Sequence, residues 1–199
     1  MPATMSAGLP VAIPIDLLSP RLFSVEEFER MIEAEIFEED EHAELIEGRV
    51  VSMSPIGSPH IGCVLALTSE LSKLKPDDLQ VLVQCAVVIS ASTRPQPDVC
   101  LLRARPDGYW DGLARPEDIT LLIEVSDSSL RYARQVKLPL YARAGVPEVW
   151  IANLKAKQLE VYRDPNGERY KQVLTLDRTQ SVTPTKVPEI TLPVASVIR

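Results

Sequence analysis

The stretch LLIEVSDSSLRYARQVK, residues 121–137, sets an acid inside an apolar run: Glu124 lies among Leu121, Leu122, Ile123 and Val125. Burying an unpaired carboxylate is costly, and a buried one is ordinarily paired, metal-bound or protonated. A second acid, Asp98, follows Pro97 at the head of another apolar run, QPDVCLLRA. Strand alternation puts Leu122, Glu124 and Ser126 on one face, and puts Asp98 on one face with Cys100 and Leu102. If the two strands are neighbours, the carboxylates converge on one side of a sheet. Such a pair repels unless one acid is protonated or a cation lies between them. A hard divalent cation, Mg2+ (or Mn2+), takes oxygen ligands and leaves room for waters and a phosphate. Lys137 is the third component. Helical spacing sets it on one stripe with Ala133 and Tyr141. From there it can reach back toward Glu124, where its charge would orient an attacking water or stabilise charge building on a phosphate. Simpler roles compete: Asp98 as the first residue of a strand, and Glu124 with Lys137 as a structural ion pair.

These residues need elements to position them. ITLLIEVS, QPDVCLLRA and LQVLVQCAVVIS are nearly continuous apolar runs, the pattern of strands covered on both faces. SPHIGCVLALTSELSKLK predicts a helix with Ser58 as N-cap, Pro59 at its first position, and Ile61, Val64, Leu65, Leu67, Leu71 and Leu74 on its apolar face. DSSLRYARQVKLPLYARAG predicts a second helix, capped by Ser128 or Ser129, kinked at Pro139 and ended by Gly145. An N-terminal helix is expected from SVEEFERMIEAE, with Ser24 and Glu27 forming a capping box. AELIEGRVVSMSP alternates about Glu47-Gly48 and reads as a hairpin or a long bent strand. PEVWIANL and QLEVYRD are strands meeting near Lys155, DPNGERYKQV is a further hairpin, and the tail is an edge strand with a last turn.

The expected fold is therefore α/β (α+β): a central mixed sheet flanked by helices in αβββαβ order. An N-terminal helix and hairpin and a C-terminal β-hairpin are its additions. Residues 1–20 read as a loosely ordered, proline-broken arm, and residues 21–199 as one domain.

The bulk composition narrows the function classes. A net charge of −7 over 199 residues argues against a protein that coats nucleic acid non-specifically. It does not argue against an enzyme that brings acids and a divalent cation to one phosphate. No apolar run is long enough for a bilayer, and the N-terminus lacks the features of a signal peptide. Cys63, Cys85 and Cys100 have no metal-ligand spacing and read as small core residues of a cytoplasmic protein.

The strings ELIEGRVVSMSP with a following His, QPDVCLL, LLIEVSDSSL, K…LYARAGVPEVWI and LEVYRDPNGERY together resemble the Uma-two-type family of restriction-endonuclease-like proteins. Pro97-Asp98 and Glu124-Val125-Ser126 are similar to the core motif of the PD-(D/E)XK nuclease superfamily. The resemblance spans about residues 24–190. It implies a Mg2+-dependent endodeoxyribonuclease in which Asp98 and Glu124 bind metal and Lys137 assists the attacking water. It further implies that Glu44 sits beside the two acids, with a surface pairing to Arg49 as the alternative. Gln84 and His60 match recurrent polar positions. Gln84 could instead be a buried amide bonded to backbone, and His60 a cap or loop contact.

Two departures from the family pattern stand out. Ser126 occupies the position of the superfamily lysine, whose function passes to Lys137. Ala133 replaces an acid that relatives commonly carry one turn before that lysine. The alternative function is a catalytically weakened or inactive nuclease-like module acting through binding or oligomerisation. DNA is the expected partner of the enzyme, and a homodimer is compatible with either reading.

Overall fold

The computed structural model describes residues 19–38, 41–53 and 56–199. Most of the N-terminal arm, residues 1–18, lies outside that set. Helix α1 (Val25–Glu33) starts at the expected capping box of Ser24 and Glu27. Strands β1 (Ala43–Ile46) and β2 (Arg49–Ser52) form the hairpin about Glu47 and Gly48. Gly48 has φ +77°, and a Cβ there would meet Leu22 Cβ at 2.7 Å, so the turn requires glycine. Helix α2 (Ser58–Leu74) follows, then β3 (Leu79–Val83), β4 (Val99–Arg103) and β5 (Ile119–Ser126). A single helical rod comprises α3 (Leu130–Tyr132), a π segment (Ala133–Lys137) and α4 (Leu138–Arg143). Beyond it come β6 (Glu148–Asn153), β7 (Gln158–Asn166) and β8 (Arg169–Leu176).

The six strands β3 to β8 form one sheet in sequence order, with β5 and β6 parallel and every other pair antiparallel. The mixed α/β architecture thus matches the expectation, and the C-terminal hairpin β7–β8 extends the central sheet. On one face, Cys63, Val64, Leu67 and Leu71 of α2 pack on Leu121, Ile123 and Val125 of β5. On the other, Ala133, Tyr141 and Ala142 of the rod pack on Cys100, Leu122 and Ile151. Burial of such continuous apolar surface on both faces is the main favourable term holding the sheet.

Several local expectations are corrected. The residue preceding α2 is Gly57, and Ser58 is already helical. Ile61 and Leu65 are exposed, because the buried stripe of α2 runs through Val64, Leu67 and Leu71. The strand expected over residues 79–90 stops at Val83: Gln84 has φ +46° and turns the chain out of the sheet. Cys63 and Cys100 are buried, but Cys85 is exposed. Ser129 stands at the N-cap of α3 without a capping side-chain bond. Proline in the rod gives a π segment, in which the N–H of Leu138 bonds to the carbonyl of Ala133. Widening the turn relieves the clash a proline ring makes in a regular helix. The tail pairs β9 (Ser181–Val182) with β10 (Leu192–Pro193) as a separate two-stranded sheet and ends in the short helix α5 (Val194–Val197).

Candidate active site

Pairing of β4 with β5 begins at Val99 opposite Ile123. Beyond that point the Val125 N–H has no strand partner, and Asp98 takes it: the N–H donates to Asp98 Oδ2 at 2.7 Å. The other oxygen, Oδ1, lies 2.7 Å from His60 Nε2, which reaches over from the first turn of α2. Asp98 therefore does more than start a strand. It is locked by one backbone and one side-chain bond, and each oxygen keeps a further lone pair.

Glu124 stands on the neighbouring strand, 5 % exposed. It accepts from Lys137 Nζ at 3.0 and 3.2 Å and from the Tyr141 hydroxyl at 2.6 Å. Burial pushes its carboxyl up to about 7, against the pull of the Lys137 charge and of the Tyr141 bond; Asp98 and Glu44 push in the same direction as burial.

Glu44 arrives from the β1–β2 hairpin and is fully buried. The hairpin is stitched to the β3–β4 connection by reciprocal backbone bonds between Leu45 and Arg94 and by the Gly48 N–H on the Ser92 carbonyl. This docking turns Glu44 inward. Its Oε1 lies 2.8 Å from Lys137 Nζ and accepts the Gln96 N–H at 2.6 Å, while Oε2 accepts from the Tyr132 hydroxyl at 3.3 Å. It makes no surface pair with Arg49.

Lys137, 2 % exposed, is enclosed by Glu44, Glu124 and the Gln96 carbonyl, the last at 3.3 Å. Burial alone would lower its pKa, but the two carboxylates outweigh burial and hold it above the ordinary lysine value. It is a fixed positive charge at neutral pH. Ala133 packs in the apolar cluster beside Tyr141, so Lys137 is held without an acid at position 133.

The π segment explains why both Tyr132 and Lys137 face Glu44. Residues five apart diverge by about 140° around an α-helix. In a π turn they close one ring and fall on nearly the same side. Reading the rod with α spacing therefore found Lys137 and Tyr141 and missed Tyr132.

Asp98, Glu124, Lys137 and His60 border one cleft of about 540 Å3, whose other wall is formed by Val51, Met53 and Ile56. A larger hollow of about 800 Å3 lies between α1 and the start of β1, and neither Asp98 nor Glu124 lines it. Gln84 is not in the cleft. Its backbone N–H donates to the Asp98 carbonyl and its own carbonyl accepts from the Gln96 side chain, so its role runs through the loop that carries Gln96. Burial would lower the His60 pKa, but the Asp98 hydrogen bond and charge, with the charges of Glu124 and Asp127, raise it overall.

Glu44 and Glu124 share the Lys137 ammonium, so that group, fully ionised, has an excess of negative charge, and Asp98 lines the same cleft. Among the described residues, no three His, Cys, Asp or Glu side chains come close enough to enclose a metal ion. A cation here would rest on two carboxylates with the rest of its shell open. That suits a hard ion that keeps waters, and it does not suit zinc.

Comparison with known proteins agrees with this architecture. The family model Uma2, described as "Putative restriction endonuclease", matches residues 25–195. No curated protein matches the chain. Among solved structures, a "putative nuclease belonging to DUF820" from Anabaena variabilis ATCC 29413 superposes with a TM-score of 0.69 at 15 % identity, covering 88 % of this chain and 97 % of that one. At that identity the likeness is one of fold.

Proposed function

The chain belongs to the Uma2 family, and on that footing we propose that it is a divalent-cation-dependent endonuclease that hydrolyses phosphodiester bonds in DNA. The observation that carries the reading is the meeting of Asp98 and Glu124 at one cleft, backed by Lys137 and Glu44. Asp98 and Glu124 would hold Mg2+ (or Mn2+), which supplies positive charge for a phosphate and eases deprotonation of an attacking water.

The chain's own residues do the rest. The Val125 N–H and His60 fix the Asp98 carboxylate in orientation. The Tyr141 hydroxyl and Lys137 align Glu124. Lys137, kept protonated by its two acids, offers a preorganised charge toward negative charge developing at the cleft. It has no free base form near neutral pH, so its assistance to the water is electrostatic.

Differential scanning of the purified chain with and without Mg2+ or Mn2+, joined to plasmid cleavage, tests the reading. Divalent cations are expected to raise the melting temperature and permit cleavage, and Asp98→Asn and Glu124→Gln to lose both effects. Cleavage at the wild-type rate by both variants would overturn it.

One observation favours a second reading, a nuclease-like module without activity. Both oxygens of Glu124 already have partners inside the protein, and Oε1 has two. A wild-type protein whose melting ignores divalent cations and which leaves DNA intact would establish that reading over the first.

A further inference from the structure

Strand β8 closes one side of the six-stranded sheet, and from Lys171 to Thr175 every residue on it is exposed. Val173 is 55 % and Leu174 43 % exposed. Two large apolar side chains thus stand in the middle of an open row of backbone donors and acceptors. Soluble proteins blunt such edges with short strands, central charges, proline or bulges. The opposite edge, β3, is short, and its residues are all buried or half-buried. On β8 the charges sit toward the ends instead: Arg169 and Lys171 at one, Asp177 and Arg178 just past the other.

We propose that β8 pairs antiparallel with β8 of a second copy of this chain, about a two-fold axis through Val173. A two-fold interface must be self-complementary, and this register is. Val173 meets its own copy, Gln172 meets Leu174, Lys171 meets Thr175, and Arg169 meets Asp177. Opposed residues must share a face, so the neighbouring two-fold registers centre on Gln172, which makes no opposite-charge pair, and on Leu174, which makes only Lys171 with Asp177. Opposite charges directly across a strand pair stabilise it, and the Val173 register, which also sets Glu168 against Arg178, makes two such pairs where its neighbours make one and none. The exposed Val173 and Leu174 side chains are covered in the same step.

The axis stands normal to the sheet, so the face bearing Glu124 and Lys137 is the same face in both copies. The two β5 strands are then separated by seven strand spacings, about 34 Å measured along the sheet. The pairing holds whether or not the cleft cuts DNA, and its test reads assembly alone.

Light scattering coupled to size exclusion should give a dimer mass for the full chain. Val173→Asp, which sets two carboxylates face to face, should give a monomer that still melts cooperatively, with a dissociation constant raised at least tenfold. In a Cys85→Ala background, which removes the exposed native thiol, Val173→Cys should form a disulfide-linked dimer on oxidation, because residue 173 meets itself only in this register. Lys171→Cys should not. A wild-type protein that stays monomeric at the highest concentration reached would overturn the proposal. So would a dimer untouched by Val173→Asp, or cross-linking through residue 171 in place of 173.

Discussion

Lys137 Nζ lies 2.8 Å from Glu44 Oε1, with both side chains closed off from solvent. This ion pair ties the helical rod to the N-terminal hairpin, and Glu124 shares the same ammonium. Removing one partner of a buried pair leaves an uncompensated charge, at a cost of about 3–5 kcal/mol. Lys137→Met is therefore expected to destabilise the chain by that amount in urea unfolding. Adding Glu44→Gln, which removes one orphaned carboxylate, should recover part of the loss. A neutral Lys137→Met would show that the pair does not hold the fold.

The raised carboxyl of Glu124 predicts a pH dependence of stability. Its ordinary value is 4.5 and its folded value about 7. Between these limits the unfolded chain has released the proton and the folded chain keeps it, so the unfolded state binds fewer protons. Stability must then fall as pH rises through this window and level off above it. The full drop is about 3.5 kcal/mol at most, at about 1.4 kcal/mol per pH unit. Glu124→Gln, neutral in both states, should remove this component of the slope. Chemical denaturation at about pH 5 and about pH 8 measures it.

Tyr141→Phe removes the 2.6 Å bond to Glu124 Oε1. A hydrogen bond onto a carboxylate favours its ionised form, so the variant should push the Glu124 carboxyl further up. The expected loss in stability is about 1–2 kcal/mol. If Glu124 holds a cation, the cation-dependent rise in melting temperature should also shrink at neutral pH and recover as the pH is raised. A merely structural tyrosine would lower stability without moving that pH profile.

Ala133 lines the cleft yet is 3 % exposed and packed against apolar side chains. Ala133→Asp should therefore lower stability without divalent cations by about 1–3 kcal/mol. On the nuclease reading, it should also steepen the gain in melting temperature on adding Mg2+, because it adds an oxygen ligand at the cleft. An unchanged Mg2+ response would place position 133 outside any cation shell.

Much of this arrangement was legible in short stretches of chain. Apolar runs located β4 and β5, alternation put Asp98 and Glu124 on one face, and helical spacing pointed Lys137 at the sheet. What could not be read depends on contacts between distant segments. The inward turn of Glu44 follows from the Leu45–Arg94 bridge, which nothing in ELIEG specifies. Nothing in QPDVCLLRA marks Gln96, yet its N–H and carbonyl contact Glu44 and Lys137. Gln84 drew notice as a polar residue in an apolar run, but a left-handed backbone there ends the strand. Ile61 and Leu65 fit a helical stripe equally well on paper, and only the placement of α2 on the sheet decided which side of it was buried.

The π segment has a consequence for how this chain can change. Deleting one residue between Tyr132 and Lys137 would give a more regular helix, gaining ordinary α hydrogen bonding. It would also set the tyrosine and the lysine four apart, about 40° from one another around an α-helix. Both could then still face Glu44, whereas regularising the rod at its present length would spread them about 140° apart. The extra residue in RYARQVK and the π turn thus compensate one another: the stretch can lose both together, but it cannot be straightened at its present length without pulling Tyr132 and Lys137 apart.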